Sequence, residues 1–245
     1  MTKQKDIILS PRLQTIANQV KRPARVADIG TDHGYIPIYL VKHKICPYVI
    51  ASDVKSGPVS RARDNVSKYC FNKEIDVRLG YGLERVSVGE VDTVIIAGMG
   101  GVLMCEIMIS SLTLLQGMRR LILQPMIGQE EVRKWLEQNH FTIVDEALAA
   151  EDHKIYQIIV AEPGKQKIEK EVYYHIGKHL IDKKHPLLQP LLQHKIKEMR
   201  QIIQNIAQHS SRDHTERLQE CYSRLRDYEE INKHLVSLKV KVWGR

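Results

Sequence analysis

The stretch Val26-Ala27-Asp28-Ile29-Gly30-Thr31-Asp32-His33-Gly34-Tyr35-Ile36-Pro37 decides the fold. A short apolar run leads into two glycines spaced G-x-x-x-G, and an apolar segment with helical character follows. A strand that turns this tightly into a helix uses glycine where its backbone approaches a ligand, and the helix start offers unpaired N–H groups to an anion. Asp28, at the end of the strand, adds an acceptor for a cation such as an ammonium group.

A carboxylate and an ammonium recognised together describe an amino-acid zwitterion. That suits the methionine portion of S-adenosylmethionine better than a pyrophosphate, and the spacing is not the G-x-G-x-x-G of dinucleotide binders. Asp53 closes the next apolar run, 23 positions after Gly30. An acidic side chain there accepts both ribose hydroxyls of an adenosine, a spacing that serves NAD equally. Ser56-Gly57-Pro58 gives Asp53 a second reading as the cap of a helix.

Working outward, short apolar or β-branched runs at Arg25–Ile29, Tyr48–Ser52, Ile75–Leu79, Val91–Ala97 and Arg120–Leu123 predict strands. Helices are expected over Thr31–His43, Pro58–Phe71, Gly101–Gln116 and Gln129–Asn139. Such alternation implies five βα units, a largely parallel sheet and right-handed crossovers. Phe141–Ala150 and His153–Ala161 lie too close together for a crossover helix, so they form an antiparallel hairpin. The fold class is therefore α/β, a Rossmann-like parallel sheet ending in an antiparallel hairpin.

After Glu162-Pro163-Gly164 the chain reads as helical. A helix is expected over Lys165–Lys184, ended by His185-Pro186. Leu192, Ile196, Met199, Ile203 and Ile206 then alternate spacings of four and three, as do Leu218, Cys221, Leu225, Tyr228, Asn232 and Leu235. These are heptad seams. A turn at Ser210-Ser211-Arg212-Asp213 pairs them within one chain, which favours a monomer over a dimer. Two domains follow, residues 1–163 and a coiled-coil-like helical domain over residues 164–245.

The 245-residue chain carries a net charge of +8. Residues 1–164 hold 20 basic against 19 acidic side chains, and residues 165–245 hold 17 against 10. A basic field concentrated in one domain attracts polyanions such as nucleic acid. Lys195, Lys197, Arg200, Arg212, Arg217, Arg224 and Arg226 are its candidate contacts. The N-terminus has no apolar leader region, no apolar run reaches membrane-spanning length, and the four cysteines form no CxxC pair. A cytoplasmic protein without membrane or metal partners is expected.

Glycines or polar residues close every parallel strand on one edge: Gly80-Tyr81-Gly82-Leu83 after the third, Ala97-Gly98-Met99-Gly100-Gly101 after the fourth, Gln124-Pro125-Met126 after the fifth. Open α/β sheets place their ligand crevice at that edge.

With these segments in view, the sequence resembles the class I S-adenosylmethionine-dependent methyltransferases, and among them the bacterial tRNA (adenine-22-N1)-methyltransferase family. The resemblance runs over nearly the whole chain. It is carried most specifically by Leu9-Ser10-Pro11-Arg12-Leu13, Asp28 through Pro37, Gly98-Met99-Gly100-Gly101 and Leu123-Gln124-Pro125. Tyr81 stands where the family often has an acidic or amide residue, and Met126 where it commonly has Asn.

The resemblance implies methyl transfer from S-adenosylmethionine to adenine N1 in tRNA. Its implied cofactor contacts are Asp28, Gly30, Thr31, Asp32, Gly34, Asp53, Val54, Gly80, Tyr81, Gly82, Leu83, Ala97, Gly98 and Met99. Gly100, Gly101, Gln124 and Pro125 would form the acceptor pocket. Adenine N1 carries its own in-plane lone pair, so no general base is required, and Asp32, His33 and Arg12 are the polar candidates near the methyl group or target base. Rival readings are a methyltransferase for another acceptor, a non-catalytic RNA-binding protein with a retained cofactor pocket, and an NAD-dependent enzyme.

Overall fold

A computed structural model of the chain describes residues 6–208 and 215–243, with side chains described through Ser237. The polypeptide forms two compact units, one ending at Ile168 and one beginning at Glu169.

The first unit is built on a seven-stranded sheet of order β3-β2-β1-β4-β5-β7-β6. Its strands are β1 (Arg25–Ile29), β2 (Tyr48–Asp53), β3 (Ile75–Leu79), β4 (Thr93–Met99), β5 (Arg120–Pro125), β6 (Phe141–Glu151) and β7 (Lys154–Pro163). The first five are mutually parallel, and β7 enters antiparallel between β5 and β6. The parallel strands are apolar nearly throughout because both sheet faces are covered. Ala27, Ile29, Ile96, Leu121 and Leu123 pack on one face, and Val26, Val49, Ile95, Ile122 and Ile158 pack on the other.

The helices of this unit are α1 (Pro11–Ala17), α2 (Tyr35–Lys42), α3 (Ser56–Lys68), α4 (Gly101–Ser110), α5 (Leu112–Gln116) and α6 (Gln129–Gln138). Residues of α4, α5 and α6 cover the first face; residues of α1, α2 and α3 cover the second. The start of α1 is set by Pro11 at its first position and by the Ser10 hydroxyl, which accepts from Leu13 N.

Several expectations are corrected. α2 begins at Tyr35, not Thr31, because His33 and Gly34 both adopt left-handed backbone (φ +67° and +66°) before the helix can start. The helix expected over Gly101–Gln116 is interrupted at Ser111, whose φ of −125° is not helical. β3 is followed by turns rather than a helix, so only four of the five parallel strands lead into helices. Residues 164–168 belong with the first unit: Gln166 accepts from Ile143 N, and Ile168 N donates to Glu137.

The second unit contains α7 (Val172–Ile176), α8 (Lys178–Asp182), α9 (Leu188–Gln208) and α10 (Thr215–Trp243). The single helix expected over Lys165–Lys184 is instead two short ones, broken at Gly177, whose φ of +84° no helix accommodates. The seam residues Leu192, Ile196, Met199 and Ile203 of α9 are buried, as are Tyr228 and Leu235 of α10. Arg200 donates to Glu229 at 2.6 Å. Six residues separate the two helices, too few to run back along α9, so α9 and α10 are antiparallel. The turn expected at Ser210–Asp213, and Arg212 with it, lies outside the described residues.

Candidate active site

The loop after β1 is pinned to β2: Gly30 N and Thr31 N both donate to the Ser52 carbonyl, at 2.8 and 2.9 Å. Asp28 is almost fully buried and is bonded to the Thr31 side chain. Burial is the main cause that pushes its carboxyl up to about 6, against the Thr31 hydrogen bond and with a smaller contribution from the Asp53 charge. Asp32 is turned outward, where Arg61 holds its Oδ1 from Nη2 at 2.8 Å and from Nε at 3.1 Å. The His33 ring stacks on Tyr35, with ring centroids 5.2 Å apart, and lies 3.5 Å from the Asp32 carboxylate.

The ends of β1 to β4 border a narrow cleft lined by Gly30, Asp53, Val54, Gly80, Tyr81, Gly82 and Met99 together with Ile29, Leu103 and Ile107. Two wider, open grooves lie among the helices of the second unit, but no strand ends converge on them. Glycine is required around the cleft. A Cβ on Gly30 (φ +78°) would lie 2.1 Å from Met99 Cε, and one on Gly82 (φ +51°) 2.9 Å from Ile107 Cγ2. Asp53 Oδ1 accepts from Lys55 N at 2.7 Å, so its carboxylate is oriented by its own turn.

A second cluster forms where β4 and β5 end. Gly98 (φ +77°) is a bulge residue, skipped between the pairs Ala97–Gln124 and Met99–Pro125. Bulges of this kind re-aim strand ends and are frequent beside active sites. Over it lies Arg12 of α1, whose Nη1 would be 3.6 Å from a Cβ on Gly98. Arg12 Nη1 donates to Gln124 Oε1 at 2.8 Å, and the guanidinium sits over the Tyr156 ring, 5.3 Å from its centroid. Glu151, from the end of β6, anchors the start of α1 by accepting from Ser10 Oγ at 2.7 Å and Arg12 N at 3.1 Å. The end of β5 is tied to β4 and α4 by Met126 N donating to Met99 O and Gly101 N donating to Ile127 O, each at 2.8 Å.

Residues 9–159 match the family model described as a methyltransferase domain. Over 159 residues the chain is 42% identical to the tRNA (adenine(22)-N(1))-methyltransferase of Bacillus subtilis, spanning 65% of this chain and 67% of that protein. The chain belongs to the tRNA (adenine-22-N1)-methyltransferase family. The crystal structure of the B. subtilis tRNA methyltransferase TrmK superposes with a TM-score of 0.86 at 33% identity, covering 93% of this chain and 100% of that one. The M. capricolum TrmK structure, in complex with S-adenosyl-homocysteine, gives 0.76 at 26% identity, covering 93% and 97%.

The geometry divides this methyltransferase's sequence candidates into three groups. Gly30, Asp53, Val54, Gly80, Tyr81, Gly82 and Met99 line the cleft. Asp28, Thr31, Gly34, Gly98, Gly100, Gly101, Gln124, Pro125 and Arg12 build the loops and strand ends around it. Leu83 is a core residue packed beneath its loop, Ala97 packs against the opposite core, and Asp32 and His33 are engaged with Arg61 and Tyr35 outside the cleft lining. Sequence reasoning missed Leu103, Ile107, Tyr156, Glu151 and Arg61. The first two carry no signal beyond an apolar helix, and the others act through contacts distant in sequence.

In the helical unit, Lys197, Arg200, Arg217 and Arg226 are exposed and Lys195 and Arg224 are half-buried. Asn232, on the α10 seam, has a buried Oδ1 with no hydrogen-bond partner. Among the described residues, no helix is long and apolar enough to cross a membrane, and no group of three His, Cys, Asp or Glu side chains is placed to hold a metal ion.

Proposed function

We propose that this chain transfers a methyl group from S-adenosylmethionine to N1 of adenine 22 in tRNA, acting as a cytoplasmic monomer. The observation that carries the reading is the pairing of a glycine-walled cleft at the ends of β1 to β4 with the Arg12–Gln124 cluster at the next strand ends, in a chain 42% identical to the B. subtilis enzyme.

The cleft residues fit the cofactor. Without side chains, Gly30 and Gly82 let Met99 and Ile107 pack directly against their loops, so the backbone itself forms the wall the cofactor would meet. Asp28 is the carboxylate for its ammonium group, and Asp53, with Oδ1 held by Lys55 N, presents its other oxygen to ribose hydroxyls. Bound there, S-adenosylmethionine supplies an electrophilic methyl group on a sulfonium, which adenine N1 takes through its in-plane lone pair as the carbon–sulfur bond breaks. The protein's task is therefore alignment and exclusion of water rather than proton transfer. N1 lies on the Watson–Crick edge, so the base must be unpaired and turned into the site.

The basic faces of α9 and α10 would follow tRNA phosphates through Lys195, Lys197, Arg200, Arg217, Arg224 and Arg226, with Arg212 in the connection between them. Phosphate contacts give affinity and shape recognition, leaving the choice of base to the catalytic unit. The buried seam of Leu192, Ile196, Met199, Tyr228 and Leu235 is filled within the chain, which favours the monomer.

The test is methyl transfer to two tRNA transcripts differing only in A or U at position 22. Label entering only the A22 transcript is expected. Cofactor binding with no label in any tRNA would overturn the reading and bring forward a methyltransferase for another acceptor or a non-catalytic RNA-binding protein.

A further inference from the structure

We infer that Gln124 is the residue that holds the acceptor adenine, by donating its Nε2–H to a ring nitrogen of the base other than N1, and that Arg12 is its positioning residue. The inference rests on the methyl-transfer reading above.

A glutamine amide presents either its carbonyl or its NH₂ to a given side, and the network around it decides which. Here Arg12 Nη1 donates to Gln124 Oε1 at 2.8 Å. Arginine has no acceptor, so this bond fixes the amide with Oε1 toward Arg12 and Nε2 away from it. Gln124 is fully buried, and its Nε2 reaches only Met126 Sδ, at 3.7 Å. A thioether is a weak acceptor, and a buried amide donor without a good one carries a standing cost. Met126 is partly exposed and unbranched, so it can swing aside for a better acceptor.

The same cluster holds a second under-used donor: Arg12 Nε is buried without a hydrogen-bond partner. Both lie at the Gly98 bulge, between the last residues of β4 and β5. Tyr156 beneath the guanidinium and Glu151 on the Arg12 backbone N–H keep Arg12 in place. This rigidity is excessive for a surface arginine but fits a device that sets one amide's orientation. Adenine offers N3 and N7 as acceptors once N1 is committed to the methyl group.

Gln124→Glu separates positioning from recognition, because a carboxylate still pairs with Arg12 yet donates nothing. With the full-length protein, an unmodified tRNA transcript and transcripts carrying 3-deazaadenosine or 7-deazaadenosine at the target position, four results are expected. Gln124→Glu lowers kcat about 10- to 100-fold, the scale of a misaligned acceptor, while cofactor Kd and Tm stay at wild-type values. One deaza transcript slows the wild-type protein by a similar factor. That transcript slows Gln124→Glu no further. Arg12→Ala lowers kcat alone but adds little to Gln124→Glu, as coupled residues do.

Wild-type kcat in Gln124→Glu, or a deaza penalty that persists undiminished in that variant, overturns the assignment of Gln124. Full additivity of Arg12→Ala with Gln124→Glu overturns the positioning role. Failure of the wild-type protein to methylate the unmodified transcript overturns the underlying reading itself, a result distinct from either.

Discussion

Gly30 and Met99 meet across the cleft: a side chain on Gly30 would begin 2.1 Å from the Met99 methyl carbon. Two strands separated by some seventy residues of sequence thus share one wall, and the glycine keeps it open. Gly30→Ala forces a φ of +78° on an alanine, costing about 1–2 kcal/mol of stability, and drives Met99 into the cleft. Because the end of Met99 is flexible, folding survives and cofactor affinity does not. Calorimetric titration should show the Kd for S-adenosylhomocysteine raised at least about tenfold, one factor of ten being 1.4 kcal/mol.

The Gly101–Gly128 contact behaves differently. A Cβ on Gly101 would lie 2.1 Å from the Gly128 carbonyl oxygen, and backbone cannot swing aside. Gly101→Ala is expected to destabilise the catalytic unit by about 3 kcal/mol, at the upper end for overpacking. Urea unfolding followed by tryptophan fluorescence measures it, and a decrease below about 1 kcal/mol would mean that the β4–α4 and β5–α6 turns separate easily.

Asp28 makes a pH prediction. Its folded-state carboxyl keeps the proton up to about pH 6, whereas an unfolded aspartate releases it near 3.8. Stability contributed by this group therefore falls as pH rises from about 4 to 6, and above that the penalty is complete at about 3 kcal/mol. Asp28→Asn should be more stable than the parent at pH 7.5 and nearly equal to it at pH 4. An ammonium ligand selects the ionised carboxylate, so cofactor affinity of the parent should weaken below about pH 6 and that of Asp28→Asn should not follow the same curve. Denaturant melts and titrations at three pH values check both.

Arg133 is fully buried and pairs with Glu146 at 2.7 Å while also donating to Gln157 at 2.8 Å. This network joins α6 to the β6–β7 hairpin. Arg133→Met leaves a buried carboxylate uncompensated and should cost about 3–5 kcal/mol. The double variant Arg133→Met/Glu146→Gln should recover much of that stability in thermal or urea unfolding.

Most of the sheet was legible because each strand is a short β-branched run stopped by glycine, proline or a polar residue, as at Ile29-Gly30 and Leu79-Gly80. Helix limits were less so. His33, at φ +67°, delays α2, and Gly177, at φ +84°, splits the segment after Ile168, yet neither residue declares its backbone conformation in sequence. The candidate site was legible where it depends on glycines along one strand edge. It was not legible where distant segments meet: Glu151 reaches Arg12 N across 139 residues, and Arg12 reaches Gln124 across 112. Only the fold brings those pairs together.

The helical arm yields a prediction about salt. Replacing exposed Lys197 and Arg226 with glutamate should raise KM for tRNA while leaving kcat and cofactor Kd unchanged. The slope of log affinity against log salt should become shallower by about one for each phosphate that is no longer neutralised. An unchanged slope would remove these two side chains from the RNA-binding face.

The most direct measurement incubates the protein with labelled S-adenosylmethionine and unmodified bulk tRNA, then digests the product and maps the labelled nucleoside. The account predicts 1-methyladenosine at position 22 and label nowhere else. Label in another nucleoside or position, or none despite measurable cofactor binding, would contradict it.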